Sequence, residues 1–158
     1  MNFEGNLIRD NFILILLVIS VCIFIILAVT IFIKSRKKKP FNVNDLEGHD
    51  FEEFCADLLF QHGFSKVEVT KGSGDFGADI LAEKDMVTYA IQCKVYSAPV
   101  GVKAVQEANA GRDYYDRMVG AVLTNQYFTA PAKEAASKLK IILWDGDYLQ
   151  KLIDSSEI

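Results

Sequence analysis

Gly72-Ser73-Gly74-Asp75-Phe76-Gly77-Ala78-Asp79 and, thirteen residues beyond its end, Gln92-Cys93-Lys94 decide how this chain folds. Lys71–Gly77 reads as a glycine-rich loop. Asp79–Glu83 and Val87–Tyr96 then read as two strands joined by a tight turn at Lys84–Met86. Alternation along the second strand puts Ile91, Cys93 and Val95 on one face and Ala90, Gln92, Lys94 and Tyr96 on the other. Lys94 therefore lies about 7 Å beyond Gln92 on the same surface. A turn with an even number of residues sets Asp79 opposite Ala90 or Gln92, and either pairing brings its carboxylate to Gln92 and Lys94. An odd turn points it away unless a bulge intervenes.

On the N-terminal side of the loop, Phe51, Phe54, Cys55, Leu58 and Leu59 recur at three- and four-residue spacing, which predicts a helix with one buried stripe. Gly63 stops it, and Phe64–Thr70 predicts a first strand. On the C-terminal side, Val102, Val105 and Ala108 predict a helix to about Tyr115, and Val119–Thr124 a short strand. Thr129 reads as the N-cap of a third helix with Pro131 in its first turn. Ile141–Trp144 is a last strand, and Asp145 caps a closing helix through Tyr148, Leu149 and Leu152. The order αβββαβαβα predicts an α/β domain, a mixed sheet flanked by helices on both faces.

Further upstream, Phe12–Ile33 is an uncharged apolar run followed by Lys34, Arg36, Lys37, Lys38 and Lys39. About 20 such residues span a bilayer as a helix, whereas a signal peptide usually has an apolar core of about 7–15 after positive charge. The expectation is a short extracytoplasmic N-terminus over 1–11, one transmembrane helix over 12–33, a basic linker over 34–44 and a domain over 45–154. The cation cluster holds that domain in the cytoplasm. Cys22, Cys55 and Cys93 are too few and too scattered for a disulfide framework or a zinc site, and each falls at an apolar position. From residue 40 onward the chain has eleven basic and nineteen acidic residues, a net charge of −8. That runs against the basic footprint of most DNA-binding domains.

Asp79, Gln92 and Lys94 suit phosphodiester hydrolysis. That reaction needs a hard cation to neutralise developing charge and to generate hydroxide near neutral pH. Mg²⁺ takes oxygen ligands, commonly one or two carboxylates plus water. Asp79 supplies a carboxylate and Gln92 an amide oxygen, while Lys94 can orient water and stabilise the charge that builds on the phosphate. Glu52 borders the buried stripe of its helix through Cys55 and Leu59 and can lean over the sheet, whereas Glu53 groups with Asp50 and Asp57 on the polar face.

Gly48-His49-Asp50-Phe51-Glu52, Gly63-Phe64, the Gly72–Asp79 run, Gln92-Cys93-Lys94 and Pro99–Gln106 together resemble the Mrr-type restriction endonuclease domain, of the PD-(D/E)xK nuclease superfamily. The likeness continues through Thr124-Asn125, Phe128-Thr129, Ala132 and Trp144-Asp145-Gly146. It implies an αβββαβ core, Mg²⁺ with Mn²⁺ as a substitute, and cleavage of DNA, often foreign or modified. It matches Asp79 and Lys94 to the family's acid and lysine, Gln92 to its glutamine, and Glu52 to its helix acid. Gln106 matches a glutamine near the site. Asp75 is a candidate substrate contact, although Gly-Asp also favours a turn, and Lys103 contacts phosphate only if it lines the cleft. Duplex cleavage admits a homodimer, and no small-molecule cofactor is implied. The rival expectation is a catalytically idle binding or scaffold module at the membrane that keeps the nuclease fold, favoured by the acidic charge and the neutral ligand Gln92.

Overall fold

The computed structural model describes residues 19–28, 42–71 and 76–156. Residues 19–28 are helical with every side chain exposed. The remainder of the expected span 12–33 lies outside the described residues, as do residues 34–41 and Asp75. Among the described residues no helix is long and apolar enough to cross a membrane. The chain divides into two compact units, Met1–Phe41 and Asn42–Ile158, and all the elements below lie in the second.

A 3₁₀ turn at Val43–Asp45, capped by Asn42, precedes helix α1, Gly48–Gln61. Phe51, Cys55, Leu58 and Leu59 form the buried stripe of α1. The helix ends where His62 returns its backbone N–H to Leu58 and Leu59, and Gly63 follows with φ 83°. Strands β1 (Ser65–Val69), β2 (Ile80–Lys84) and β3 (Val87–Lys94) are antiparallel neighbours. Helix α2 (Val102–Tyr114), β4 (Val119–Thr124), helix α3 (Ala130–Leu139) and β5 (Ile141–Trp144) continue as βαβ units, so β3, β4 and β5 run parallel. Helix α4, Gly146–Asp154, closes the chain. The sheet order is β1-β2-β3-β4-β5.

Local chemistry explains the helix starts. The Thr129 side chain accepts the Ala132 N–H, with Pro131 in the first turn, and the Asp145 side chain accepts the Tyr148 N–H. Such caps satisfy donors that helix geometry leaves without partners. Helices α1 and α4 cover one face of the sheet, where Phe51, Leu58, Leu59, Leu149 and Leu152 meet Ile80, Ile91, Leu123 and Trp144. Helices α2 and α3 cover the other, where Ala104, Val105, Ala108, Ala132 and Ala136 meet Val122 and Ile141.

The β2–β3 turn is shorter than the expected Lys84–Met86. Lys84 pairs with Val87, leaving Asp85 and Met86 as a two-residue loop. Both have positive φ, 51° and 65°, the backbone of a type I′ hairpin turn. The loop is even, so the hairpin register carries Asp79 to a position facing Gln92.

Candidate active site

Asp79 enters the sheet immediately before β2. Its backbone N–H donates to Ile91 O at 2.8 Å, and its carbonyl accepts the Thr70 N–H at 2.8 Å, so it is held from both neighbouring strands. The preceding loop is held against α2 by two glycines. A Cβ on Gly77, whose φ is 94°, would sit 2.2 Å from Glu107 O, and one on Gly111 would sit 2.5 Å from Gly77 O. Only hydrogen at both positions lets backbone approach backbone this closely. The Thr70 hydroxyl then donates to Ala78 O at 2.8 Å and fixes the loop's exit.

The Asp79 carboxylate is buried, 4% exposed, beside Gln92 at 3%. Its Oδ2 accepts the Cys93 backbone N–H at 2.6 Å and a short hydrogen bond from Gln92 Nε2. Half a turn of the Gln92 amide exchanges Nε2 for Oε1 without moving the chain. Glu52 arrives from α1 and lines the same cavity as Asp79, Gln92, Lys94 and Tyr96, a space of about 350 Å³ at the C-terminal end of β3. Its carboxylate is 3.2 Å from His49 Nδ1, and that contact leads the upward shift of the exposed His49 imidazole. Glu53, by contrast, is largely exposed.

Lys94 Nζ lies 3.0 Å from Glu107 Oε2, and Lys103 Nζ lies 3.6 Å from the other oxygen, Oε1. Burial pulls the Lys94 pKa down, but the hydrogen bond and charge of Glu107, with the charge of Asp79, outweigh it and leave the pKa raised. Lys94 is therefore a fixed cation at neutral pH and cannot act as a base. The Cys93 thiol between Gln92 and Lys94 is pushed well up, first by its hydrogen bond with Cys55 and then by burial. It stays neutral and is no nucleophile.

Of the other expected residues, Gln106 is exposed and lies outside the cavity lining, and Lys103 is almost wholly exposed. The acid that reaches the site from α2 is Glu107, which sequence reasoning passed over. Its position was readable: it falls between Ala104 and Gly111 at three- and four-residue spacing, on the buried stripe of α2. Among the described residues no group of three or more His, Cys, Asp or Glu is arranged to hold a metal. Two carboxylates and one amide oxygen around a cavity nevertheless fit a hard cation that keeps several of its waters.

A five-stranded mixed sheet between helix layers, with acid, amide and lysine at the mouth of its central hairpin, defines a nuclease-type α/β domain. Residues 43–153 match the family model of the Mrr catalytic domain, described as restriction endonuclease. Among solved structures, a protein of unknown function, AF1548, aligns with a TM-score of 0.57 and 25% identity, over 72% of this chain and 66% of that one. The DNA modification-dependent restriction endonuclease AspBHI aligns with a TM-score of 0.55 and 19% identity, over 70% of this chain and 32% of that one. The chain thus spans just under two thirds of the first structure and about one third of the second. No curated protein matches it significantly in sequence. The chain belongs to the Mrr-type family of restriction endonuclease domains.

Proposed function

We propose that the chain is a divalent-metal-dependent endodeoxyribonuclease, anchored in a membrane by residues 12–33, that restricts foreign or modified DNA from the cytoplasmic side. One observation carries the reading: Glu52, Asp79, Gln92 and Lys94 line a single cavity. The carboxylates of Asp79 and Glu52 and the amide oxygen of Gln92 are the groups that would hold Mg²⁺ or Mn²⁺. A cation bound there supplies charge neutralisation at the phosphate and lowers the pKa of a bound water. Hydrolysis joins the water oxygen to phosphorus and breaks the ester bond, and the departing sugar oxygen takes up a proton. Lys94 enters as a donor, because its raised pKa keeps the ammonium charged, and it favours the phosphate as negative charge accumulates. Glu107 aims that ammonium, and the buried N–H of Cys93 orients Asp79.

The test is cleavage of duplex DNA by the full chain in a mild non-ionic detergent, with Mg²⁺, with Mn²⁺ and with chelator. Cleavage that needs metal and falls by about a hundredfold or more in both Asp79→Ala and Lys94→Ala is the expected result. Activity unchanged in both variants would overturn the assignment. The charge of −8 from residue 40 onward and the neutral ligand Gln92 favour a second reading, a nuclease fold retained for binding alone. Calorimetry with Mn²⁺ in the presence of DNA separates the two, since an idle module takes up no ion. The anchor has its own test: deletion of residues 12–33 should move the protein from the membrane to the soluble fraction. A role in restriction predicts that cells lacking the protein admit foreign or modified DNA more readily.

A further inference from the structure

A second cavity, of about 370 Å³, adjoins the first. Val95 and Tyr96 line both, and Asn44, Leu46, Ser97 and Gln126 complete the second. From this juxtaposition we infer that the second cavity receives an unpaired nucleobase next to the scissile phosphate, so that the preferred substrate is DNA with a single-stranded or unstacked nucleotide. The inference rests on the nuclease reading and extends it to the class of substrate.

Charge comes first. The six lining residues include no aspartate, glutamate, histidine, lysine or arginine. A phosphate would find no countercharge there. A base is neutral and flat, with polar edges and an apolar face, and the lining answers each property. Tyr96 is half exposed at the junction of the two cavities and presents a ring. Leu46 is half-buried and apolar. The Gln126 side-chain amide makes no hydrogen bond among the described residues, while its backbone is fixed by bonds to Thr124 Oγ1 at 3.1 Å and from the Gly146 N–H at 2.9 Å.

The wall is also built in advance. Asn125 grips Tyr96 by both backbone groups: Tyr96 N–H donates to Asn125 Oδ1 at 2.9 Å, and Asn125 Nδ2 donates to Tyr96 O at 2.9 Å. The same Nδ2 reaches Asn44 Oδ1 at 2.7 Å, drawing the start of the domain into the wall. A side chain here supplies the two bonds a neighbouring strand would give, which lowers the ordering cost of binding.

The acidic balance of the domain points the same way. Binding to paired DNA draws heavily on cations that release counterions from phosphates. Here Lys94, the cation that lines the first cavity, is paired with Glu107, as is the exposed Lys103 beyond the lining. Stacking of a base on an aromatic ring is the remaining large source of affinity, and only an unpaired base offers its face.

The experiment is anisotropy titration of the full chain in non-ionic detergent with chelator present, so that nothing is cut. The probes are a labelled single strand, the same sequence fully paired, and the same duplex with a three-nucleotide gap. The gapped and single-stranded probes should bind at least about tenfold more tightly than the paired one. Tyr96→Ala should erase that preference, and Ser97→Trp, which fills the cavity from an exposed position, should do the same. Thermal unfolding of each variant confirms the fold. Equal binding of all three probes, or a preference unmoved in both variants, would overturn the inference. Metal-dependent cleavage measured alongside distinguishes the failures: cleavage with no preference sinks the base subsite alone, whereas neither binding nor cleavage sinks the nuclease reading as well.

Discussion

The sheet's two coverings are made of different materials. On one side α1 and α4 bring phenylalanine and leucine onto Ile80, Ile91, Leu123 and Trp144. On the other, α2 and α3 bring mainly alanine and valine. The large side chains gain most from removal of apolar surface from water, about 1.5–3 kcal/mol for a fully buried leucine. The small ones gain less individually and permit something else, close backbone approach. The 76–79 loop lies against α2 because Gly77 and Gly111 carry no side chain. One layer thus supplies much of the apolar burial, and the other sets the position of Asp79, with Lys94 and Glu107 beside it.

If that contrast is correct, the largest single effect belongs to the lightest residue. Gly77→Ala adds one carbon, 2.2 Å from Glu107 O, at a φ of 94°. Neither the clash nor the conformation has an easy escape, so a loss above about 4 kcal/mol is expected, visible as loss of cooperative thermal unfolding. Gly101→Ala is the control: nothing lies within 4 Å of the added carbon, and the cost should stay below about 1 kcal/mol.

A pair of opposite substitutions sharpens the comparison. Leu59→Ala empties space in the large-residue layer, where Leu59 is fully buried, and should cost about 2–5 kcal/mol in denaturant titration. Ala108→Leu overfills the small-residue layer, where Ala108 is equally buried, and should cost about 1–3 kcal/mol. The second should disturb Mn²⁺ uptake more, because α2 bears directly on the loop that leads to Asp79. Equal effects of both on uptake would dissolve the distinction between the layers.

The smallest effect concerns Tyr148, stacked on Trp144 in the large-residue layer. Burial, with a lesser contribution from Tyr89, pushes its phenol above the ordinary value. The unfolded chain therefore ionises first, and stability should decline as pH rises through about 10. Tyr148→Phe should flatten that decline in thermal midpoints measured between about pH 9 and 11.

The elements themselves were legible because their signals are local. The stripe of α1, the Thr129 and Asp145 caps and the stop at Gly63 each depend on residues within a turn or two. The convergence of Asp79, Gln92, Lys94 and Glu52 on one cavity also follows from short-range rules, alternation along β3 and i+3 spacing on α1. What eluded sequence reasoning spans distant parts of the chain. Glu107 meets Lys94 from another element, and Gly77 meets Gly111 across 34 positions of sequence. The second cavity draws on residues near 45, 96 and 126. The turn was misjudged by one residue because Asp85 and Met86 take left-handed backbone without a glycine to announce it.

That turn constrains how such a gene can vary. Met86 is almost wholly solvent-facing, so packing sets no limit on substitution there, and only the left-handed backbone of both turn residues disfavours β-branched side chains. Length is another matter. One inserted codon would leave every reactive group encoded and yet swing Asp79 to the wrong side of the sheet, unless a bulge absorbed the extra residue. Two inserted codons would restore it. The hairpin is therefore inherited modulo two, and among descendants of this chain odd-length insertions at residues 85–86 should be the ones that silence it.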